Sequence, residues 1–358
     1  MKTTEQIDNL FVNALNNNVF PGASFAFSKR DRDAYKRLSN YYGYAQLEPE
    51  KKELTRLTVF DLASLTKVLT TVPLLLALIG KGIIGLETSL GDIYLDCPDD
   101  KAEITISQLM SHSSGFAAHR EFFKELLMVP QEEREKELLK RIFAEELVSS
   151  PGYVHCYSDI GYMLLGLIIE KLSWQKLNEL ANTLIYRPAG LENELFFPDH
   201  NYVNREYAST ETCPWTGKML NGKVHDDNCR AMGGIAGHAG LFGTLHGVLT
   251  MGEYFLDKWK GRGQHSAYPN TLIQRILEPV GNSGWTMGFD MVSAKGSSSG
   301  SFFSKMSVGH LGFTGTSFWI DPLRDCIAVL LTNRVHLGRE NLKIREFRPV
   351  FHDLLMGK

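Results

Sequence analysis

Strand-like segments lie at both ends of this chain, and a long, mostly helical stretch separates them. Near the start, residues 23–27 and 41–44 are alternating and aromatic-rich, follow the helix breaker Pro21-Gly22, and predict a hairpin. Segments of the same character return near the end, at residues 287–292, 313–320 and 326–332. We expect the two ends to share one sheet, with the helices inserted between them. The pattern predicts a mixed α+β fold: an antiparallel sheet flanked by helices, with a large helical insertion.

This organisation predicts two regions. Residues 1–62 and 240–358 form a sheet domain, and residues 63–239 form a mostly helical domain. The 358 residues exceed what one ordinary core comfortably supports, which agrees with two closely packed regions. We expect an active site in the cleft between them.

Charge and hydropathy argue against two kinds of partner. The 38 Lys and Arg residues and 41 Asp and Glu residues leave a formal charge of −3 without a long basic stripe, so no nucleic acid is expected. The most apolar stretch, residues 68–79, is shorter than the roughly 20 residues of a membrane span. The polar start has no visible signal peptide and the five cysteines are scattered, which predicts a cytoplasmic protein. A periplasmic or secreted protein is expected instead if an export signal has been removed.

The strongest chemical signal is Ser64-Leu65-Thr66-Lys67, at the start of a helix predicted to end near Gly80. Helix positions i and i+3 lie on one face about 5–6 Å apart, so the Lys67 amine can reach the Ser64 hydroxyl. A serine hydroxyl is a weak nucleophile until a base takes its proton, and the helix start favours developing negative charge. Ser64 is therefore a candidate nucleophile, although a capping serine and a solvated lysine have the same spacing.

A second signal, Tyr157-Ser158-Asp159, opens an apolar helix predicted to reach Leu172. A phenol with its ordinary pKa of about 10 relays protons only when it shares a site with an ammonium group. The alternative is a helix cap, in which Ser158 or Asp159 binds free N–H groups and Tyr157 packs beneath.

A third signal is the glycine-interrupted segment from Gly309 to Thr316, which enters a strand. Glycines in a strand allow a ligand or another backbone to approach closely, so this segment is a candidate binding edge for an acyl substrate. His310 is a candidate hydrogen-bond donor or positive charge. A bulged turn with a surface histidine is the alternative.

These motifs, in this order, resemble those of the serine β-lactamase and penicillin-binding-protein superfamily, in particular its branch of class C β-lactamases, esterases and DD-peptidases. The resemblance covers nearly the whole chain and includes residues 60–63, 109–116 and 233–244. It implies a β-lactamase-like fold and a serine hydrolase that forms an acyl-enzyme without a metal or organic cofactor.

The resemblance also implies individual roles. Ser64 would be acylated, and Lys67 and Tyr157 would exchange its proton and later activate water. The N–H groups of Ser64 and Phe313 would form the oxyanion hole, and Asp159 stands where Asn is usual. The residues implied to bind substrate are Asp159, His310, Leu311, Gly312, Thr314 and His238.

His310 and Leu311 depart from the family pattern, which has Lys and Thr before Gly312. Lys and Thr hold the free carboxylate of a β-lactam or a D-alanyl terminus, whereas Leu311 has no donor and His310 is mostly neutral at pH 7. Carboxylate binding should be weakened unless Thr314 or Thr316 substitutes. The sequence therefore favours hydrolysis of esters or amides, such as cell-wall-derived peptides. Residues 309–316, together with residues 225–228 and 236–240, also resemble the muropeptide amidases.

Other functions stay open. A catalytically silent binding or sensor module would keep this fold, and a true β-lactamase or D-alanyl carboxypeptidase would need a carboxylate site. A triad hydrolase would use Ser298, because Gly296 to Gly300 satisfies GxSxG, but a nucleophile elbow needs a strand before it and a helix after it.

Two further groups of residues imitate functional motifs. The segment Ser111-His112-Ser113 places a serine beside a histidine, but its position indicates packing beneath the site. No metal ion is expected, because zinc-like spacing is missing from the candidate ligands His225, Asp226 and His238.

Overall fold

The structure is a computed structural model that describes residues 2–198, 202, 204–263 and 267–357. Its strands are Gly22–Asp31 (β1), Ala34–Gln46 (β2), Lys52–Glu53 (β3), Phe60–Asp61 (β4), Leu195–Phe196 (β5), Phe242–Gly243 (β6), Asp290–Met291 (β7), Val308–Leu311 (β8), Ser317–Asp321 (β9) and Cys326–Thr332 (β10). Its α-helices are Lys2–Asn16 (α1), Val72–Gly80 (α2), Leu90–Ile93 (α3), Asp99–Ala102 (α4), Ile106–Met110 (α5), Phe123–Leu126 (α6), Arg134–Ala144 (α7), Asp159–Ser173 (α8), Leu177–Ala181 (α9), Asp227–Ala231 (α10), Leu245–Trp259 (α11), Asn270–Ile276 (α12) and Ile344–Leu355 (α13). Shorter helical turns are π-helical at Lys67–Thr71 and Asn182–Tyr186, and 3₁₀ at Gln131–Glu133, Arg187–Ala189 and Arg334–Leu337.

Seven strands from the two ends of the chain form one antiparallel sheet in the order β3-β2-β1-β10-β9-β8-β7. Its centre is the pair β1 and β10, in which Ala23 lies opposite Thr332 and Lys29 opposite Cys326. The predicted mixed α+β fold, with an antiparallel sheet built from both ends of the chain, is confirmed.

Both faces of this sheet are covered, and the side chains of β10 alternate between them. Ala328 and Leu330 belong to an aromatic-rich core with α1 and α13, whereas Ile327 and Val329 face the larger core that includes α11. This alternation follows from the two-residue repeat of a strand. The consequence is a three-layer arrangement of helix, sheet and helix, in which β7 is one edge strand of the sheet and β8 is its neighbour.

The helices between the sheet segments pack around α8, whose residues from Ile160 to Leu165 are all buried. Gly166 and Gly237 let the segment that contains His238 cross this helix closely. A Cβ atom on Gly166 would lie 2.7 Å from the Gly237 nitrogen, and one on Gly237 would lie 2.2 Å from the Tyr162 carbonyl oxygen. The crossing brings the His238 backbone to the start of α2.

A second sheet, in the order β4-β6-β5, joins the segment before Ser64 to distant parts of the chain. Its strands come from both sides of the predicted boundaries at residues 62 and 240, and the division into two domains stays a prediction. None of the described helices is both long and apolar enough to cross a membrane.

Three predicted elements have different limits in the structure. The final helix begins at Ile344 rather than near Arg339, because residues before it loop around the Arg334 guanidinium, which donates to the Arg339 and Asn341 carbonyl oxygens. Residues 313–316 form a turn before β9, and β7 is limited to two residues.

Candidate active site

Ser64 lies in a tight turn between β4 and the helix that continues into α2. The preceding residue, Ala63, has a φ of 47°, a left-handed conformation that is rare for a residue with a Cβ atom. The buried Asp61 carboxylate holds this turn, since it accepts hydrogen bonds from the Ala63 N–H (2.8 Å) and the His225 N–H (2.7 Å). The strained backbone therefore fixes where the Ser64 hydroxyl points.

Lys67 is completely buried directly beside Ser64. Its ammonium nitrogen lies 3.0 Å from the Ser64 Oγ, 2.7 Å from an Asp159 carboxylate oxygen and 3.2 Å from the His238 carbonyl oxygen. The same nitrogen lies 4.9 Å from the centre of the Tyr157 ring, whose hydroxyl interacts with Lys67 and Ser64. The structure thus brings together the serine, lysine and tyrosine that the sequence singled out.

Burial and neighbouring charges determine which of Lys67, Asp159 and Tyr157 carry a proton at neutral pH. Burial lowers the pKa of Lys67, but the Asp159 carboxylate and Tyr157 raise it by more, so the pKa lies above its ordinary value. Burial raises the pKa of Asp159, yet Lys67 and His119 outweigh this and hold it below the ordinary value. Burial also raises the pKa of Tyr157, against the opposing effect of Lys67. At neutral pH the group is therefore a Lys67–Asp159 ion pair beside a neutral phenol.

His112 holds Tyr157 in place from beneath. Its ring centre is 4.7 Å from that of Tyr157, its Nδ1 accepts from the Ser158 N–H (3.1 Å), and its carbonyl oxygen accepts from the Cys156 N–H (2.8 Å). Ser158 also caps α8, because its Oγ accepts from the Gly161 N–H at 3.2 Å. The helix cap that was the alternative role for this motif is therefore present. Tyr157 approaches Ser64 as well, so the motif fills both roles.

The end of β8 packs tightly against the Ser64 turn. A Cβ atom on Gly312 would lie 2.0 Å from the Thr316 Oγ1 and 2.6 Å from the Leu62 carbonyl oxygen, so only glycine fits. The Thr314 hydroxyl donates to the Asp61 carbonyl oxygen (2.8 Å), and the Thr316 hydroxyl donates to the Leu62 carbonyl oxygen (3.2 Å). This segment therefore fixes the end of the strand beside the candidate nucleophile.

The same contacts correct two expectations for the threonines. Thr314 was expected to bind substrate and Thr316 to be a possible substitute for a missing carboxylate ligand, but both are fully buried and their hydroxyls bind backbone oxygens. His310 and Leu311 do line the cleft. Burial, followed by repulsion from Lys67, lowers the pKa of His310 to about 3, so this histidine carries no charge at neutral pH.

Two backbone N–H groups are unused near the junction, which is the place where the end of β8 packs against the Ser64 turn. Within the described part of the chain, neither the Ser64 N–H nor the Phe313 N–H donates a hydrogen bond. Phe313 follows Gly312 directly in the chain and lines the same cleft as Ser64. Such a pair of free N–H groups can receive a developing oxyanion.

The histidines near the site form separate pairs with carboxylates. The His238 Nε2 lies 2.9 Å from Asp226, and the His225 Nε2 lies 3.1 Å from Glu211. The His238 side chain is buried and is absent from the cleft lining, so this residue reaches the site through its carbonyl oxygen rather than as the expected substrate contact. No group of three or more potential metal ligands occurs among the described residues.

A cleft of about 830 Å³ opens over Ser64, between helical segments and the end of β8. Its lining contains predicted residues and several that no sequence motif indicates, including Trp285, Asp290 and His119. His119 lies 3.4 Å from the second carboxylate oxygen of Asp159, and this contact raises the pKa of His119. Ser298 also lines the cleft, but in the described residues its hydroxyl makes no hydrogen bond with a base, and the His352 Nδ1 lies 2.8 Å from its carbonyl oxygen instead.

Comparison with known proteins identifies the family. A family model described as beta-lactamase matches residues 7–348. The chain belongs to the beta-lactamase family. A relative from Escherichia coli O157:H7, which carries the provisional name D-alanyl-D-alanine carboxypeptidase, is 27% identical over 349 residues, covering 88% of this chain and 79% of the relative.

Solved structures share the fold of this chain. An octameric penicillin-binding protein homologue from Pyrococcus abyssi has a TM-score of 0.77 and 19% identity, covering 99% of this chain and 78% of the other. EstCE1, a hydrolase with promiscuous acyltransferase activity, has a TM-score of 0.73 and 20% identity, covering 97% and 98%. The predicted membership of the serine β-lactamase and penicillin-binding-protein superfamily is confirmed, and the chain is a serine hydrolase of this family.

Proposed function

We propose that this beta-lactamase family hydrolase forms an acyl-enzyme on Ser64 and acts on esters or amides such as cell-wall-derived peptides. The observation that carries the proposal is the 3.0 Å contact between the Lys67 Nζ and the Ser64 Oγ at the floor of an open cleft. A serine hydroxyl that contacts a buried amine, beside a phenol, has the base that nucleophilic attack requires. Among the described residues no base contacts the Ser298 hydroxyl, since His352 reaches only the carbonyl oxygen of this residue.

Because the pKa of Lys67 is raised, most enzyme molecules carry a protonated Lys67 at neutral pH, and only the minority with an unprotonated amine react. When Lys67 is unprotonated, its amine takes the Ser64 proton while Oγ attacks the substrate carbonyl carbon. The proton then passes, by way of the Tyr157 hydroxyl, to the departing alcohol or amine. Water repeats the sequence in reverse order on the acyl-enzyme, which releases the acid and restores Ser64.

The unused N–H groups of Ser64 and Phe313 would receive the oxyanion of each tetrahedral intermediate. Preorganised donors of this kind act most strongly where charge develops. The close contact of Gly312 with the Ser64 turn supports this role, because it keeps the two donors at the same junction.

Substrate class follows from the lining of the cleft. Neutral His310 and apolar Leu311 stand where carboxylate-binding enzymes of the family have Lys and Thr, so strong β-lactamase activity is not expected. An activity screen with p-nitrophenyl esters, D-amino-acid amides and muropeptides tests this class. Efficient hydrolysis of penicillin with no turnover of the other substrates would contradict it.

Active-site labelling tests the assignment of Ser64. The pure protein is treated with a fluorophosphonate, and the adduct is located by mass spectrometry in the wild type and in Ser64→Ala and Ser298→Ala. We expect an adduct on Ser64 that is lost only in Ser64→Ala. An adduct on Ser298 would identify a different nucleophile, and the absence of any adduct would favour a binding or sensor module.

We further propose that the protein acts in the cytoplasm. All five cysteines are free, and Cys213, Cys229 and Cys326 are buried, which suits a reducing compartment. The absence of a nucleic-acid partner stays a prediction from the charge balance.

A further inference from the structure

A carboxyl group without a partner lies in the wall of the cleft that contains Ser64. It belongs to Asp290, a partly buried residue in the two-residue strand β7 at the edge of the large sheet. This carboxyl group makes no ion pair and no hydrogen bond with any other described residue. The proposed reaction gives it no part, and no sequence motif contains it.

The other charged groups of the cleft do not pair with Asp290. The remaining aspartates in the lining already have partners, which are Lys67 for Asp159, His238 for Asp226 and Arg230 for Asp227. Four arginines also line the cleft, namely Arg334, Arg339, Arg345 and Arg348. None of these arginines forms an ion pair with Asp290. The cleft therefore holds one acidic group whose counter-charge is not supplied by the described protein.

Burial without a counter-charge raises the pKa of Asp290 to about 7. Removal of a carboxyl group from water disfavours its charged form, whereas a cation nearby favours that form. A positive group that enters the cleft would therefore be attracted to Asp290 and would stabilise its ionised state. The environment of this residue suits a cationic ligand better than a neutral one.

The strand register places Asp290 beside the edge along which a substrate would lie. Asp290 is opposite Gly309, and Leu311 follows two residues later on β8. Cross-strand partners share a face of the sheet, and so do residues two apart, so Asp290 and Leu311 project from the same face. Gly309 precedes Gly312 by three residues, which is roughly 10 Å along a strand. A group bound at Asp290 is thus several bonds away from a carbonyl group held beside Ser64.

An aromatic wall connects the two positions. The backbone of Trp285 pairs with that of Asp290, and the Trp285 ring lies 5.8 Å from the Tyr157 ring, measured between ring centres. Trp285 is only partly buried and lines the cleft. The indole therefore extends from the β7 edge toward the phenol beside Ser64. Aromatic faces attract ammonium groups, so this wall accepts a positive charge on its way to Asp290.

We infer that Asp290 binds an ammonium group of the substrate whose ester or amide bond is attacked by Ser64, with Trp285 as the neighbouring aromatic contact. This inference rests on the proposed function and adds a substrate class to it, namely esters or amides that carry an amino group several bonds from the scissile carbonyl. Asp290 is then a specificity-determining residue and takes no part in the proton transfers.

Two pairs of esters test the inference, and the members of each pair have the same shape but differ by one positive charge. The p-nitrophenyl ester of 6-(trimethylammonio)hexanoate, with the charge in the acyl part, is compared with p-nitrophenyl 7,7-dimethyloctanoate. The acetate ester of 3-(trimethylammonio)phenol, with the charge in the leaving group, is compared with 3-tert-butylphenyl acetate. Each kcat/KM is divided by the rate constant of spontaneous hydrolysis, which corrects for intrinsic reactivity. The assays are run above the pKa of Asp290, which is about 7.

The measured quantity is the ratio of the cationic to the neutral ester. For at least one pair, Asp290→Asn should lower this ratio by about fivefold to tenfold relative to the wild type, because the amide keeps the shape and removes the charge. Asp290→Glu keeps the charge and should lower the ratio less. High salt should reduce the ratio in the wild type and have little effect on it in Asp290→Asn.

Glu278→Gln is the matched control, because it removes an exposed carboxylate that precedes β7 in the chain and does not line the cleft. Its ratios should equal those of the wild type, and melting temperatures check that each variant is folded. If the neutral esters are hydrolysed but Asp290→Asn leaves both ratios unchanged, the ammonium site is refuted while the hydrolase survives. If no ester is hydrolysed and Ser64 is not labelled, the proposed function itself fails.

Discussion

Gly312→Ala should lower the activity of this protein while leaving it folded. The added Cβ atom would lie 2.0 Å from the Thr316 Oγ1 and 2.6 Å from the Leu62 carbonyl oxygen, far inside ordinary contact. The strand end must move away from the Ser64 turn, and overpacking of this kind costs about 1–3 kcal/mol of unfolding free energy. Displacement of one oxyanion donor costs a further factor of about 10² to 10³ in kcat. We therefore expect a folded protein with kcat for p-nitrophenyl acetate lowered by about that factor.

Gly161→Ala is the control for this substitution. A Cβ atom there would meet its nearest neighbour at 3.6 Å, and the position lies inside α8, where alanine is favoured over glycine by about 0.5–1 kcal/mol. Urea unfolding and kcat are measured for both variants, and the control should keep its kcat and keep or slightly raise its unfolding free energy. If Gly312→Ala loses stability but keeps kcat, the junction does not position an oxyanion donor. If Gly312→Ala loses neither stability nor kcat, the close packing described around Gly312 is wrong.

Three further predictions concern the charges and the support of the catalytic group. Asp159→Asn removes the carboxylate that raises the pKa of Lys67. The rate of fluorophosphonate labelling, which should rise with pH as Lys67 loses its proton, should therefore rise at a lower pH in this variant. A pH profile that does not move would exclude Lys67 as the base. The pKa of wild-type Asp159 lies below its ordinary value, so the stability contributed by this carboxylate is present above the ordinary carboxyl pKa of about 4 and is lost as the pH falls through the folded-state pKa. Acid unfolding monitored by circular dichroism should accordingly be less pH-dependent in Asp159→Asn than in the wild type. His112→Ala leaves the buried Ser158 N–H without its acceptor, so the unfolding free energy should fall by about 1–3 kcal/mol. The value of kcat should also fall, because Tyr157 loses the ring that packs against it. A kcat equal to that of the wild type would show that Tyr157 does not depend on this ring.

Local sequence patterns were sufficient for much of the fold. The prediction of a strand at residues 326–332 matches β10, and the helix predicted from Asp159 to Leu172 matches α8 to within one residue. Alternation and helical periodicity are local properties, so they survive folding unchanged. The helix after Ser64 was predicted as uninterrupted, but it contains a π-helical turn at Lys67–Thr71, the turn that begins at the buried lysine.

Residues of the site that carry no motif could not be predicted. His119 follows a loop with no periodic pattern, yet it contacts Asp159 because the fold brings the two together. The arginines from Arg334 to Arg348 have ordinary spacing in the sequence, and only the loop before α13 turns them toward one cleft. Thr314 was misjudged for a related reason, since the sequence gives the residue type but not which side of the turn its hydroxyl faces.

The pairing of β1 with β10 sets the order in which this protein can be made. Ala23 must find Thr332 across roughly three hundred residues, so the central ladder of the sheet cannot form until nearly all of the chain has left the ribosome. Until then the hairpin of β1 and β2 exposes an unpaired edge, which is the kind of surface that promotes association between nascent chains. A stop codon before residue 326 would therefore remove a central strand of the sheet and leave β1 and β9 without their shared neighbour.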